Sequence, residues 1–81
     1  EAYPNPFNPV AEMKLALSDN GHTSIKVFNL MGQEIETIHD GFMNAGYHQI
    51  SWNAENVPSG VYVVKVVQDN NMTSQKVMLM K

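Results

Sequence analysis

Few residues in this 81-residue chain are of a type and spacing suited to chemistry. His22, His39 and His48 are its candidate metal ligands and proton carriers. A zinc site draws its histidines from one helix face or from short fixed spacings shared with cysteine or carboxylate. None of the three has that company, so His22 and His39 read as turn residues and His48 as a strand residue alternating with Ile50 and Trp52. Cysteine is absent, which removes disulfides, thiol nucleophiles and thiolate metal sites together. Glu34 and Glu36 lie two apart and share one face of an extended strand. Paired carboxylates hydrolyse glycosides only when they straddle a sugar-binding cleft, and the expectation here is a solvated outer face. Asp19, Asp40 and Asp69 each precede Asn or Gly, where aspartate bonds its own backbone in a turn. No run supplies the converging oxygens of a calcium loop. Ser18, Ser51 and Ser59 lack a nucleophile elbow or an evident base. The expectation is a domain that is not an enzyme, with no metal, no cofactor and no small-molecule substrate.

Composition narrows the class further. The chain is 43% hydrophobic and 16% charged, with a net charge of −3. Its length suits one domain, residues 1–81, that buries about 60% of the unfolded chain's surface. So small a core leaves little to open into a deep cleft. Five lysines face eight acids, with no arginine and no basic run. Phosphate-backbone binding calls for clustered cations, so nucleic acid is not an expected partner. No stretch approaches the roughly 20 apolar residues of a helical membrane span. The opening Glu1-Ala2-Tyr3-Pro4 reads as the interior of a longer polypeptide.

The apolar positions alternate in short runs separated by turn chemistry, the pattern of strands rather than helices. Met13, Leu15 and Leu17 share one face of the first run, opposite Glu12 and Lys14. Asn20-Gly21 turns the chain into Thr23–Phe28, where Ile25 and Val27 sit together. A tight connection at Leu30–Gln33 leads to a short strand, Glu34–Ile38. His39-Asp40-Gly41 and Asn44-Ala45-Gly46 bracket an expected loop before Tyr47–Trp52. Val61–Val67 follows the Asn56–Gly60 turn and reads as a central strand covered on both faces. Asp69-Asn70-Asn71 closes a hairpin into Met72–Met80. Six strands plus an extended proline-rich lead-in over residues 1–10 predict an all-β, immunoglobulin-like antiparallel sandwich of about seven strands. The expected core is Leu15, Leu17, Ile25, Val27, Ile50, Trp52, Tyr62, Val64, Val66, Val77 and Leu79.

Three features remain. In Tyr3-Pro4-Asn5-Pro6-Phe7-Asn8-Pro9 the prolines fix φ and remove donors, so an irregular extended lead-in is expected, with Tyr3 and Phe7 plugging one end. A proline-rich ligand for a recognition domain is the alternative reading. Trp52, the single tryptophan, is expected as a core anchor rather than a sugar platform. Met78 and Met80 fall opposite Val77 and Leu79, so the last strand is apolar on both faces. It is either covered or offered to a partner.

Taken in order, several motifs resemble the C-terminal sorting domains of the type IX secretion system. Tyr3–Pro9 resembles that family's opening signature, and Met31-Gly32-Gln33-Glu34-Ile35 its Gly-Arg-x-Val turn. Ala45-Gly46-Tyr47-His48-Gln49-Ile50-Ser51-Trp52 is similar to its Ala-Gly-x-His-x-x-x-Trp stretch, and Ser59-Gly60-Val61-Tyr62 to its Ser-Gly-x-Tyr entry into the long strand. Lys76–Lys81 resembles its lysine-and-aliphatic ending. Gln33 stands where the family usually has arginine, and Asn53-Ala54 where Asp-Gly is common. The resemblance implies a non-catalytic targeting module that follows an N-terminal cargo domain. Its partners would be the outer-membrane secretion machinery: shuttle, translocon and sortase. The cargo would be secreted, or held at the cell surface, by way of the periplasm and outer membrane. It further implies that Lys76, Val77, Met78, Leu79 and Met80 carry recognition, while Gly32 and Gly60 form turns. The immunoglobulin-like domain of flagellar hook-capping proteins shares the fold and the opening signature. That leaves a structural or interaction module, in a hook cap or beside a secreted hydrolase, as the alternative. A carbohydrate-binding module using Trp52 and Tyr62 is a third.

Overall fold

The computed structural model describes residues 10–80. Six strands follow one another: β1 (Val10–Leu17), β2 (Gly21–Phe28), β3 (Glu34–Met43), β4 (Gly46–Asn53), β5 (Gly60–Gln68) and β6 (Asn71–Leu79). They form two antiparallel sheets, β1-β4 and β3-β2-β5-β6. The chain is therefore all-β, with six strands among the described residues rather than about seven. The expected seventh piece falls on residues 1–9, outside the described residues, as do Tyr3 and Phe7. Val10, assigned to the lead-in, is already strand and pairs with Asn53.

Two hairpins are local, β2–β3 and β5–β6, and the other connections carry the chain between sheets. A two-stranded ribbon such as β1-β4 is marginal alone. It is held by burying Met13, Ile50 and Trp52 against Ile25, Val27, Tyr62, Val64 and Leu79 of the larger sheet. Trp52 is 1% exposed and meets Tyr62 edge-on, with centroids 5.3 Å apart at 71°. That is the T-shaped arrangement aromatic quadrupoles favour. Both rings are spent on the core, which removes the sugar platform. Leu15, Leu17, Val66 and Val77 are half-buried rather than buried, because the narrow β1-β4 ribbon cannot cover the whole larger sheet. Met13, Met43 and Ala54 join the core instead.

β3 departs most from expectation. The loop expected at His39-Asp40-Gly41 is strand, and pairing with β2 continues to Met43. The pairing slips twice, between Ile25 and Lys26 and between Val27 and Phe28, leaving Ile38 and Ile35 as extra residues on β3. Each bulge turns the strand by one face. Ile35 and Ile38 thereby both reach the core, and Glu34 and Glu36 point opposite ways instead of sharing a face. Glu34 lies outside, accepting from Thr37 Oγ1 at 2.9 Å and 3.6 Å from Lys26 Nζ. Glu36 lies inside at the rim, accepting the Trp52 indole N–H at 3.0 Å. One hydrogen bond thus ties the ribbon to the edge of the larger sheet.

Candidate functional site

Sequence and topology converge on β6. It is an edge strand whose strand neighbour among the described residues is β5. Lys76, Val77, Met78 and Leu79 pair with Val63, Tyr62, Val61 and Gly60 respectively. Val77 is half-buried and Leu79 is 5% exposed, so this side of the strand is clamped to the core. Met78 and Met80 are 69% and 64% exposed. Lys76 is exposed as well. Exposed thioethers are soft and conformationally adaptable, suited to a partner surface that must be matched closely.

The two halves of β6 differ, and the reason is coverage. Thr73 and Gln75 oppose Val66 and Val64 and share their inward side, yet both are exposed. The β1-β4 ribbon does not reach over them. An open groove remains there between β1 and β6, floored by Ile25, Val64 and Val66 and walled by Met13, Leu15 and Gln75. On the inward side of β6 polar residues occupy the uncovered half and apolar residues the covered half. Natural edges are usually blunted with charges, proline or bulges. Over the nine residues of β6 the single charge is Lys76, and the pairing with β5 is unbroken from Gln68↔Asn71 to Gly60↔Leu79.

Two glycines shape the surroundings. Gly32 has φ +84° in the β2–β3 turn. Asn29 builds that turn: its Oδ1 accepts from the N–H groups of Met31 and Gln33 at 2.9 and 3.0 Å, and its Nδ2 donates to Gln33 Oε1 at 2.8 Å. The amide of Gln33 works here within the turn. Gly60, φ +153°, opens β5 rather than lying in the turn before it, directly across from Leu79. After Trp52, Asn53 Oδ1 accepts the N–H of Glu55 at 3.0 Å and Ala54 is 1% exposed. Asparagine and alanine thus make a capped turn with a buried alanine side chain in place of Asp-Gly.

The histidines stay apart. His22 Nε2 lies 2.7 Å from Asp40 Oδ1 across the β2–β3 pair, His39 Nε2 is 3.2 Å from the Gly41 carbonyl, and His48 Nε2 is 2.7 Å from the Asn44 carbonyl. Among the described residues no three metal-ligating side chains converge. His22 and His39 are strand residues, not turn residues.

Residues 1–80 match the family described as the secretion system C-terminal sorting domain. No curated protein and no solved structure matches the chain significantly.

Proposed function

The chain belongs to the C-terminal sorting domains of the type IX secretion system, and from that premise we propose that its β6 end is the surface the export machinery reads. Such a domain is a targeting signal, not a catalytic one. It marks proteins exported across the outer membrane to the cell surface or the medium. The finer reading is that Lys76, Val77, Met78, Leu79 and Met80 are recognised by the shuttle and translocon, after which a sortase acts on the cargo joined to the domain. One observation carries it: at this edge Leu79 anchors the strand inside while Met78 and Met80 project outward. A partner strand added to the outer edge of β6 would gain main-chain hydrogen bonds, and pockets for the two methionines would supply selectivity.

An immunoglobulin-like architecture belongs to the same proposal. The ribbon β1-β4 corresponds to strands B and E, and β3-β2-β5-β6 to C′, C, F and G. Tyr62 supports the correspondence. It lies near the start of the F-like strand, and its hydroxyl donates to the Pro58 carbonyl at 2.6 Å, the contact of a tyrosine corner.

The test fuses these 81 residues to a periplasmic reporter in a host with a working type IX system. Met78→Asp with Met80→Asp should leave the domain folded and strand the reporter in the periplasm. Deleting residues 76–81, which also removes the core residue Leu79, should likewise strand the reporter. If either fusion reaches the surface as well as the parent, recognition lies elsewhere.

A further inference from the structure

Three of the five lysines stand on the outer face of the larger sheet. Lys26 sits between Ile25 and Val27, both 0% exposed, and so points away from the core. Lys65 lies directly opposite it on β5. Lys76 opposes Val63 on β6 and faces the same way. In a chain of net charge −3 this concentrates cations on one side. Like charges directly opposite in an antiparallel pair repel, so the sheet carries an unfavourable arrangement near its centre. The relief is partial: Glu34 lies 3.6 Å from Lys26, and Lys65 Nζ rests 4.9 Å from the Phe28 ring centroid. Beside Lys65 a shallow open hollow runs between Phe28, Leu30 and Val63. Leu30 is 68% exposed at its rim.

A cation at the wall of an apolar hollow, with a second cation one strand away, is complementary to carboxylates joined to apolar side chains. We infer that Lys26, Lys65 and the Phe28–Leu30–Val63 hollow bind an extended acidic polypeptide segment that carries a carboxylate and an apolar side chain two positions apart. The spacing is two because alternate positions on an extended segment share one face. A carboxylate between Lys26 and Lys65 would offset their repulsion, and the apolar group two positions on would enter the hollow. An anionic membrane is the lesser match. Three lysines are few for holding a domain to an anionic surface, and the hollow between Phe28, Leu30 and Val63 suits a side chain rather than a flat bilayer. Lys26 and Lys65 lie on the inner strands β2 and β5, whereas Lys76 and Met78 of the β6 edge share this face at its border.

Fluorescence anisotropy with a labelled peptide repeating glutamate-serine-leucine-serine tests the inference, against the peptide with lysine in place of glutamate and phosphatidylglycerol vesicles. The 81-residue chain should bind the acidic peptide and neither alternative, and about 0.5 M salt should remove most of the binding. The double variant Lys26→Gln, Lys65→Gln should weaken it about tenfold, while Lys14→Gln on the other sheet should not. The double variant should melt no lower than the parent, since a repulsion is removed. Should it fail to fold, backbone NMR shifts of the parent during titration give the same answer if they centre on Phe28, Val63 and Lys65. Equal binding of the lysine peptide, equal weakening by Lys14→Gln, binding to vesicles alone, shifts centred elsewhere, or no binding would each overturn it.

Discussion

Gln68→Leu is the most informative single change for the fold. Gln68 is 4% exposed, and its Nε2 donates to the Asp19 carbonyl and to Thr23 Oγ1, each at 3.0 Å. Thr23 is 0% exposed and itself donates to the Gly21 carbonyl at 3.2 Å. Leucine removes both of the amide's bonds, but the orphaned groups fare differently. The Thr23 hydroxyl keeps the Gly21 carbonyl, and the Asp19 carbonyl belongs to an exposed residue that water can reach. The cost should therefore be about 1–2 kcal/mol rather than the larger penalty of a sealed unsatisfied group. For a domain of this size that lowers the melting temperature by about 4–16 °C. Thr23→Val alone should cost about 1 kcal/mol, because the Gln68 amide retains Asp19. Combining the two replaces both partners with apolar groups, so the double variant should cost less than the sum by about 0.5–1.5 kcal/mol. Urea unfolding followed by Trp52 fluorescence measures all three. Strict additivity, or a Gln68→Leu protein as stable as the parent, would refute the claim that this pair forms one polar unit.

Three further outcomes follow from the packing and the backbone. Trp52→Ala should cost about 3–5 kcal/mol, a large part of the roughly 4–12 kcal/mol available to a chain this long, which urea unfolding followed by circular dichroism measures. Glu36→Leu should shift Trp52 emission and cost about 1 kcal/mol through the lost indole bond, while Glu36→Gln, which still accepts, should recover most of it. Gly32→Val should lower stability by about 1–2 kcal/mol, since φ +84° disfavours a Cβ although no atom lies within 4 Å of it. Gly32→Asn should cost less, which thermal melts can resolve.

Much of the architecture was legible in the sequence because alternation and turn residues are local properties. The strands around Ile25, Ile50 and Val64, the β5–β6 hairpin and the burial of Trp52 and Tyr62 all follow from period-two patterning between Asn, Gly and Pro clusters. The two-sided apolar ending at Val77–Met80 was equally readable, and with it the candidate surface. Tertiary structure alone decided what depends on partners distant in the chain. It placed β6 at an edge and covered only its C-terminal half, so Val77 was half-buried and Thr73 exposed on the same inward side. It drew β3 on through His39-Asp40-Gly41, because pairing with β2 satisfied backbone groups that turn propensity would have left to water. Its two bulges sent Glu34 outward and Glu36 to the Trp52 indole, a parting that a two-residue spacing does not encode. It also buried Thr23 and Gln68, polar residues that side-chain type assigns to the surface but that two hydrogen bonds made at home in the core.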